Sequence, residues 1–174
     1  IVNGTLYPVL FGSAVNNQGV KVLLDFVADF LPSPNQMPDV AAFKSGTDQE
    51  VKIAPDPKGK TVAFVFKTAT EGHLGEMSYF KVFSGSISPG VELMNQQTKT
   101  AERLAHPYSF QGKNRIDVDS APAGDIAVAV KLKSTHTGNS LSEKDFSVSI
   151  PEVDYPNPVM DVAIKSKAKG EEEK

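Results

Sequence analysis

The 174-residue sequence predicts a mainly β protein, a barrel or sandwich of short strands preceded by a single βα unit. Three observations predict it. From Val20 to Leu31 the apolar residues Val20, Val22, Leu23, Leu24, Phe26, Val27, Phe30 and Leu31 cover a broad face at helical spacing. Beyond Lys60 the pattern changes to period-two alternation rich in β-branched and aromatic residues. Gly72, Gly75, Gly85, Gly90, Gly112, Gly124 and Gly138 punctuate that alternation at turn spacing.

In chain order, Val9-Leu10-Phe11 reads as the end of a buried strand, Gly12-Ser13-Ala14 as a tight turn and Val20 onward as a helix capped at Asn16 or Asn17. Pro32 and Pro34 end that helix, because proline lacks the N–H and pushes the preceding residue to extended geometry. Residues 35–60 are proline-rich and irregular, with one short strand expected at Glu50–Ile53. Strands are expected at Thr61–Thr68, Glu76–Ser84, Val91–Asn95, Thr100–Phe110, Ile116–Val118 and Asp125–Lys133. On the last of these, Ile126, Val128, Val130 and Leu132 share one face, against Ala127, Ala129, Lys131 and Lys133 on the other. The alanines predict close packing and the lysines an exposed rim. One more strand is expected at Val159–Ile164, before a Lys/Glu-rich tail ending Glu171-Glu172-Glu173-Lys174, read as the first turn of a solvated helix.

Composition narrows the function classes. A hydrophobic content of 40% supports a sizeable core, and a net charge of −3 gives no global attraction for polyanions, so any nucleic-acid contact must come from a local patch. The absence of cysteine excludes a disulfide scaffold and a thiolate metal site. No stretch approaches the roughly 18 apolar residues of a membrane-spanning helix, and no secretory leader is recognisable. A first residue of Ile rather than Met predicts a piece of a longer chain.

Chemical motifs are sparse. Ala54-Pro55-Asp56-Pro57-Lys58-Gly59-Lys60-Thr61 satisfies a relaxed phosphate-loop pattern, but two prolines remove N–H donors and a strand follows where a helix N-terminus is required. His73, His106 and His136 are too far apart for a ligand-spaced pair, and no Gly-x-Ser-x-Gly elbow presents a nucleophile. Lys99, Arg103, Lys113, Arg115, Lys131 and Lys133 form a phosphate-binding stripe only if the strands align them.

The run Val82-Phe83-Ser84-Gly85-Ser86-Ile87-Ser88-Pro89-Gly90, the pair Glu102-Arg103, the element Ala123-Gly124-Asp125-Ile126 and Thr137-Gly138 resemble, in order and spacing, the second domain of translation elongation factor G. Ser13-Ala14 with Leu31-Pro32-Ser33-Pro34 is similar to the end of that family's GTP-binding domain, and Pro158–Ile164 to the start of its third domain. Asn139-Ser140 replaces the family's usual Asp-Thr, and Phe110–Arg115 departs from the main translocase towards its paralogues.

The resemblance implies a translation-factor-type β-barrel as domain II over residues 35–151, a GTP-binding-domain remnant over 1–34 and the start of domain III, with its short strand, over 152–174. It implies a cytoplasmic ribosomal GTPase that uses GTP and Mg²⁺ when whole, and no catalysis or cofactor in this segment alone. Ser13 and Ala14 would then face the guanine base. The implied partners are small-subunit ribosomal RNA, the protein's own GTP-binding domain and domain III, and no membrane. Lys131, Lys133 and His136 are the first candidates for the RNA contact and Arg103 and Arg115 the second; either arginine serves equally well as an interdomain or barrel brace. A ribosome-protection-type or other translational GTPase would share such a barrel. A free-standing ligand- or RNA-binding barrel would explain the strands but leave the βα unit without a sheet.

Overall fold

The computed structural model describes residues 1, 4–71, 75–112, 114–163 and 165, with the side chain of residue 71 left aside. His73, Lys113, Ile164 and the Lys/Glu-rich tail lie outside the described residues. The chain divides into two compact units, Ile1–Met37 and Pro38–Lys174.

In the first unit, α1 spans Val20–Phe30. Gly19 occupies the N-cap with φ 75°, where the sequence predicts Asn16 or Asn17. A left-handed N-cap suits glycine, and Asn17, at φ 53°, instead helps turn the loop that precedes it. Val9–Phe11 forms no strand, because a strand exists only through a ladder and none of the described residues pairs with it. The apolar side chains of α1 are correspondingly uncovered, and the helix buries no residue.

The second unit opens with β1 (Val40–Lys44) and β2 (Glu50–Ile53), followed by a long hairpin of β3 (Val62–Glu71) and β4 (Gly75–Ser84). Then come β5 (Ser86–Ile87), β6 (Val91–Asn95), β7 (Ala101–Leu104), β8 (Tyr108–Gln111) and β9 (Asn114–Asp117). β10 (Ala121–Pro122), β11 (Ile126–Val130), β12 (Ser140–Ser142) and β13 (Val148–Ser149) complete it. The single strand expected over Thr100–Phe110 is two, since Pro107 cannot donate to a ladder and breaks it between β7 and β8. No strand forms over Val159–Ala163, where Val159, Met160 and Val162 stand exposed without a ladder partner among the described residues.

The principal sheet has the order β7-β6-β12-β3-β4-β11-β8-β9, accompanied by the sheet β13-β1-β2 and the pair β10-β5. This corrects the closed barrel expected from the sequence: the sheet is curled but open, a half-barrel, because edge strands β7 and β9 do not pair among the described residues. Period-two patterning marks strands; it carries no information on whether the two edges meet.

Val65, Phe80, Val82, Ile87, Leu93, Leu104 and Leu141 fill the concave side. Ala42, Ile53, Phe64, Val148 and Ile150 form a second core beside Val62, between β3 and the small sheet. On β11 the alanines, not the bulky residues, face the main core. Ala127 pairs with Phe80 and leaves room for its ring, Val128 is buried on the opposite face, and Ile126 is 56% exposed. The strand stops at Val130 because Lys131 adopts φ 60°.

An ionic clamp closes the start of β3. Thr61 N–H donates to Glu143 Oε1 (2.8 Å), while Lys60 Nζ reaches Glu143 Oε2 (3.0 Å) and Asp145 Oδ2 (2.7 Å). Lys60 is thus paired with carboxylates, and a strand rather than a helix N-terminus follows it. The Thr61 N–H, opposed by partial burial and reinforced by Lys60, holds the Glu143 carboxyl below its ordinary range. The unfolded chain takes up this proton first. The clamp's stabilisation is therefore complete above the ordinary carboxylate pKa of about 4.3 and is lost as pH falls through the lower folded value. Glu143→Gln is expected to cost about 1 kcal/mol at neutral pH and to shrink the acid-side loss of stability. Urea midpoints measured at neutral and acid pH check it, and parallel pH profiles for the two proteins would dismiss the clamp.

Candidate nucleic-acid interface

The connection from β11 to β12 carries Lys131, Lys133 and His136, and buried polar side chains beneath it hold its shape. Lys131 N–H donates to Glu76 O (3.1 Å) as the chain leaves the sheet. Glu102, on β7 and 2% exposed, then accepts from Lys133 N–H (3.0 Å), Ser134 N–H (2.7 Å) and Thr135 Oγ1 (2.9 Å). Asn95, at the end of β6 and also buried, donates through Nδ2 to Ser134 O (3.2 Å), Thr135 Oγ1 (3.1 Å) and Asn139 Oδ1 (3.0 Å). Asn139 Oδ1 accepts from His136 N–H (2.9 Å).

The backbone of residues 133–136 is therefore tied inward, while the side chains of Lys131, Lys133 and His136 stand exposed outside. His136 Nδ1 lies 3.7 Å from Glu76 Oε1. Such a loop presents cations from a pre-formed backbone, so phosphate binding at it incurs little ordering cost.

The remaining candidates do not join it. Arg103 on β7 and Arg115 on β9 sit on the two opposite edge strands of the open sheet. The Arg115 guanidinium lies 4.4 Å from the centroid of the Tyr108 ring, a cation–π contact that braces its own sheet. Lys99 adopts φ 57° and its ammonium donates to Ser45 Oγ.

Ser13 and Ala14 belong to the first unit. Ser13 and Gln18 exchange two backbone hydrogen bonds of 2.9 Å, Asn16 N–H donates to Ser13 Oγ (3.3 Å) and Asn17 N–H to Ala14 O (3.3 Å). The turn borders a hollow of about 270 Å³ shared with Leu10, Phe11, Gly12 and Leu23. Among the described residues there is no group of three or more His, Asp or Glu able to hold Mg²⁺.

Sequence reasoning missed Glu102 and Asn95 as organisers of the loop. A signal existed: Glu102 shares its strand face with Leu104, and Asn95 with Leu93, so each polar residue occupies a core-facing register position.

The fold defines a mainly β module built on a curled open sheet, with a helical unit ahead of it. Residues 60–144 match the family described as elongation factor G domain 2. Elongation factor G 2 of Syntrophomonas wolfei is 35% identical over 173 residues, which is 99% of this chain and 25% of that protein. Elongation factor G of Ehrlichia canis is 34% identical over 174 residues, 100% of this chain and 25% of that protein. A crystal structure of a Thermus thermophilus protein aligns with a TM-score of 0.65 at 27% identity, over 90% of this chain and 21% of the other.

The chain thus spans about a quarter of the length of the curated relatives it matches. The region matched by the family model is described as domain 2. Among the described residues no helix is long and apolar enough to cross a membrane.

Proposed function

We propose that the chain is a segment of an elongation factor G-like GTPase of protein synthesis, serving GTP-driven translocation or a related ribosomal step in the cytoplasm. In this reading residues 1–34 close the GTP-binding domain, residues 35–151 are domain II and residues 152–174 begin domain III. GTP and Mg²⁺ act in the whole protein, with Ser13 and Ala14 contributing the turn that faces the guanine base. Domain II is the contact module between the GTP-binding domain, domain III and small-subunit ribosomal RNA, and relays to the ribosome the loop rearrangement that follows loss of the γ-phosphate.

One observation supports the RNA contact most: within the stretch similar to elongation factor G domain 2, buried Glu102 holds a loop whose outward side chains include Lys131, Lys133 and His136. In a chain of net charge −3, such a local cluster is what an RNA contact requires. Lys131→Ala combined with Lys133→Ala is expected to weaken ribosome binding by the full-length protein and to reduce its log–log salt slope by about 1.5. An unchanged slope removes these lysines from the contact.

A further inference from the structure

Beside the cationic loop, one face of the open sheet carries a row of aromatic rings. The β3–β4 ladder shifts register between Val65 and Lys67, a bulge that turns Phe66 out of the ladder and leaves it 41% exposed. The Phe66 ring packs against Tyr79 of β4 with centroids 6.5 Å apart, and Tyr79 packs against Phe110 of β8 at 6.2 Å. These rings make one continuous apolar surface across β3, β4, β11 and β8, which exposed Ile126 adjoins through its pairing with Lys81.

Cations border the rings. Lys67 lies 5.5 Å over Tyr79, Lys81 lies 5.3 Å over Phe83 and Arg115 lies 4.4 Å over Tyr108, while Asp117, paired with Tyr108, is the acid at the β9 end. A single exposed Phe needs no explanation, but contiguous rings edged by cations are a surface with a preference.

The row begins where the loop ends. Val65 N–H donates to Asn139 O (2.8 Å), Gly138 N–H to Val65 O (2.8 Å) and Thr68 N–H to Thr137 Oγ1 (2.9 Å), so the bulge that presents Phe66 is hydrogen-bonded on both sides to residues 137–139. A cleft of about 110 Å³ opens there between Phe66, Thr137, Gly138 and Tyr155, with Phe64 and Val153 also lining it and Glu152 as the acid at this end.

We propose that the row Phe66–Tyr79–Phe110 is a stacking platform for unpaired RNA bases, continuous with the phosphate contacts of the loop. The partner it selects is a single-stranded or bulged RNA element rather than an uninterrupted duplex. The π faces of bases are available for stacking on side chains only where they are unpaired, and the bordering cations suit the intervening phosphates. Continuity with the loop rests on the reading of Lys131 and Lys133 given above; the platform itself does not.

The test is fluorescence-anisotropy titration of the 174-residue chain with a labelled single-stranded RNA of about ten nucleotides, and with an RNA hairpin duplex of matched phosphate number. The parent is expected to prefer the single strand. Phe66→Ala should weaken it about 5- to 100-fold without changing the salt slope, and Phe66→Tyr should retain it, which separates stacking from a loss of fold. Lys131→Ala with Lys133→Ala should instead lower the slope. If Phe66→Ala and Tyr79→Leu leave the affinity unchanged, or if the duplex binds as tightly as the single strand, the platform is overturned. Ring variants that weaken binding while the lysine variant keeps the parental slope would uphold the platform and reject the loop as its neighbour. If the parent binds neither RNA, the proposal fails.

Discussion

Gly85→Ala is expected to destabilise the second unit by about 3–5 kcal/mol, the sum of left-handed backbone strain and overpacking. Gly85 is buried between β4 and β5 at φ 72°, a conformation that L side chains resist. A Cβ placed there would lie 2.5 Å from Thr61 Cα and 2.7 Å from Thr61 N, so the obstacle is backbone and cannot rotate aside. Both backbone groups of Gly85 are also engaged: its N–H donates to Asp56 O (2.8 Å) and its C=O accepts from Ala123 N–H (2.9 Å).

Relief would require Thr61 to move, which pulls on the Glu143 clamp and on the first residue of β3. Against a typical total stability of about 5–15 kcal/mol, the variant should lose a large part of its urea midpoint at unchanged m-value. A loss below about 1 kcal/mol would mean that the β4–β5 turn relaxes freely and that this account of the glycine is wrong.

Glu102→Ala is expected to cost about 3 kcal/mol and to loosen the loop that bears Lys131, Lys133 and His136. The carboxylate is the shared acceptor for two amides and one hydroxyl. Its removal leaves the Thr135 hydroxyl proton without its acceptor in a buried site, while water can reach part of the amide pair because Ser134 is half-buried and Lys133 exposed. Glu102→Gln keeps the volume but turns one acceptor into a donor facing a donor, and should cost about 1–2 kcal/mol. Hydrogen exchange distinguishes an organising role from a merely packed one: the amides of Lys133 and Ser134 should exchange markedly faster in both variants, more so in Glu102→Ala. Unaltered protection at these two amides would show that Asn95 alone holds the loop.

Much of this architecture was legible in local sequence. Val91–Asn95 forms a strand over the residues its alternation predicts, Glu50–Ile53 is the short strand expected there, and α1 ends one residue before the expected Leu31. Other strands escaped because their cause is not local. β5, β10 and β13 are two residues each and become strands only by pairing with Pro122–Ala121, with Ser86–Ile87 and with β1. β11 is deceptive in another way, since side-chain bulk alone assigns the core to its other face. Which face packs inward depends on Phe80, a neighbour in the sheet whose ring occupies the space above Ala127.

The candidate site shows the same division. That Lys131, Lys133 and His136 fall close together is a property of the chain, and the resemblance of Glu102-Arg103 to a family strand was visible too. That Glu102 turns inward to hold residues 133–135, while Arg103 and Arg115 part to opposite sheet edges, required the strand order.

By itself the sequence determined strand periodicity, turn positions and family likeness, because each is written in the spacing of neighbouring residues. Only the tertiary structure decided that the sheet stays open, which face of β11 is buried, that Phe66 is turned out by a bulge and that a buried carboxylate shapes the cationic loop. Each of these depends on a partner distant in the chain, and hydrogen-bond register and packing volume are properties of pairs of segments that no single segment carries.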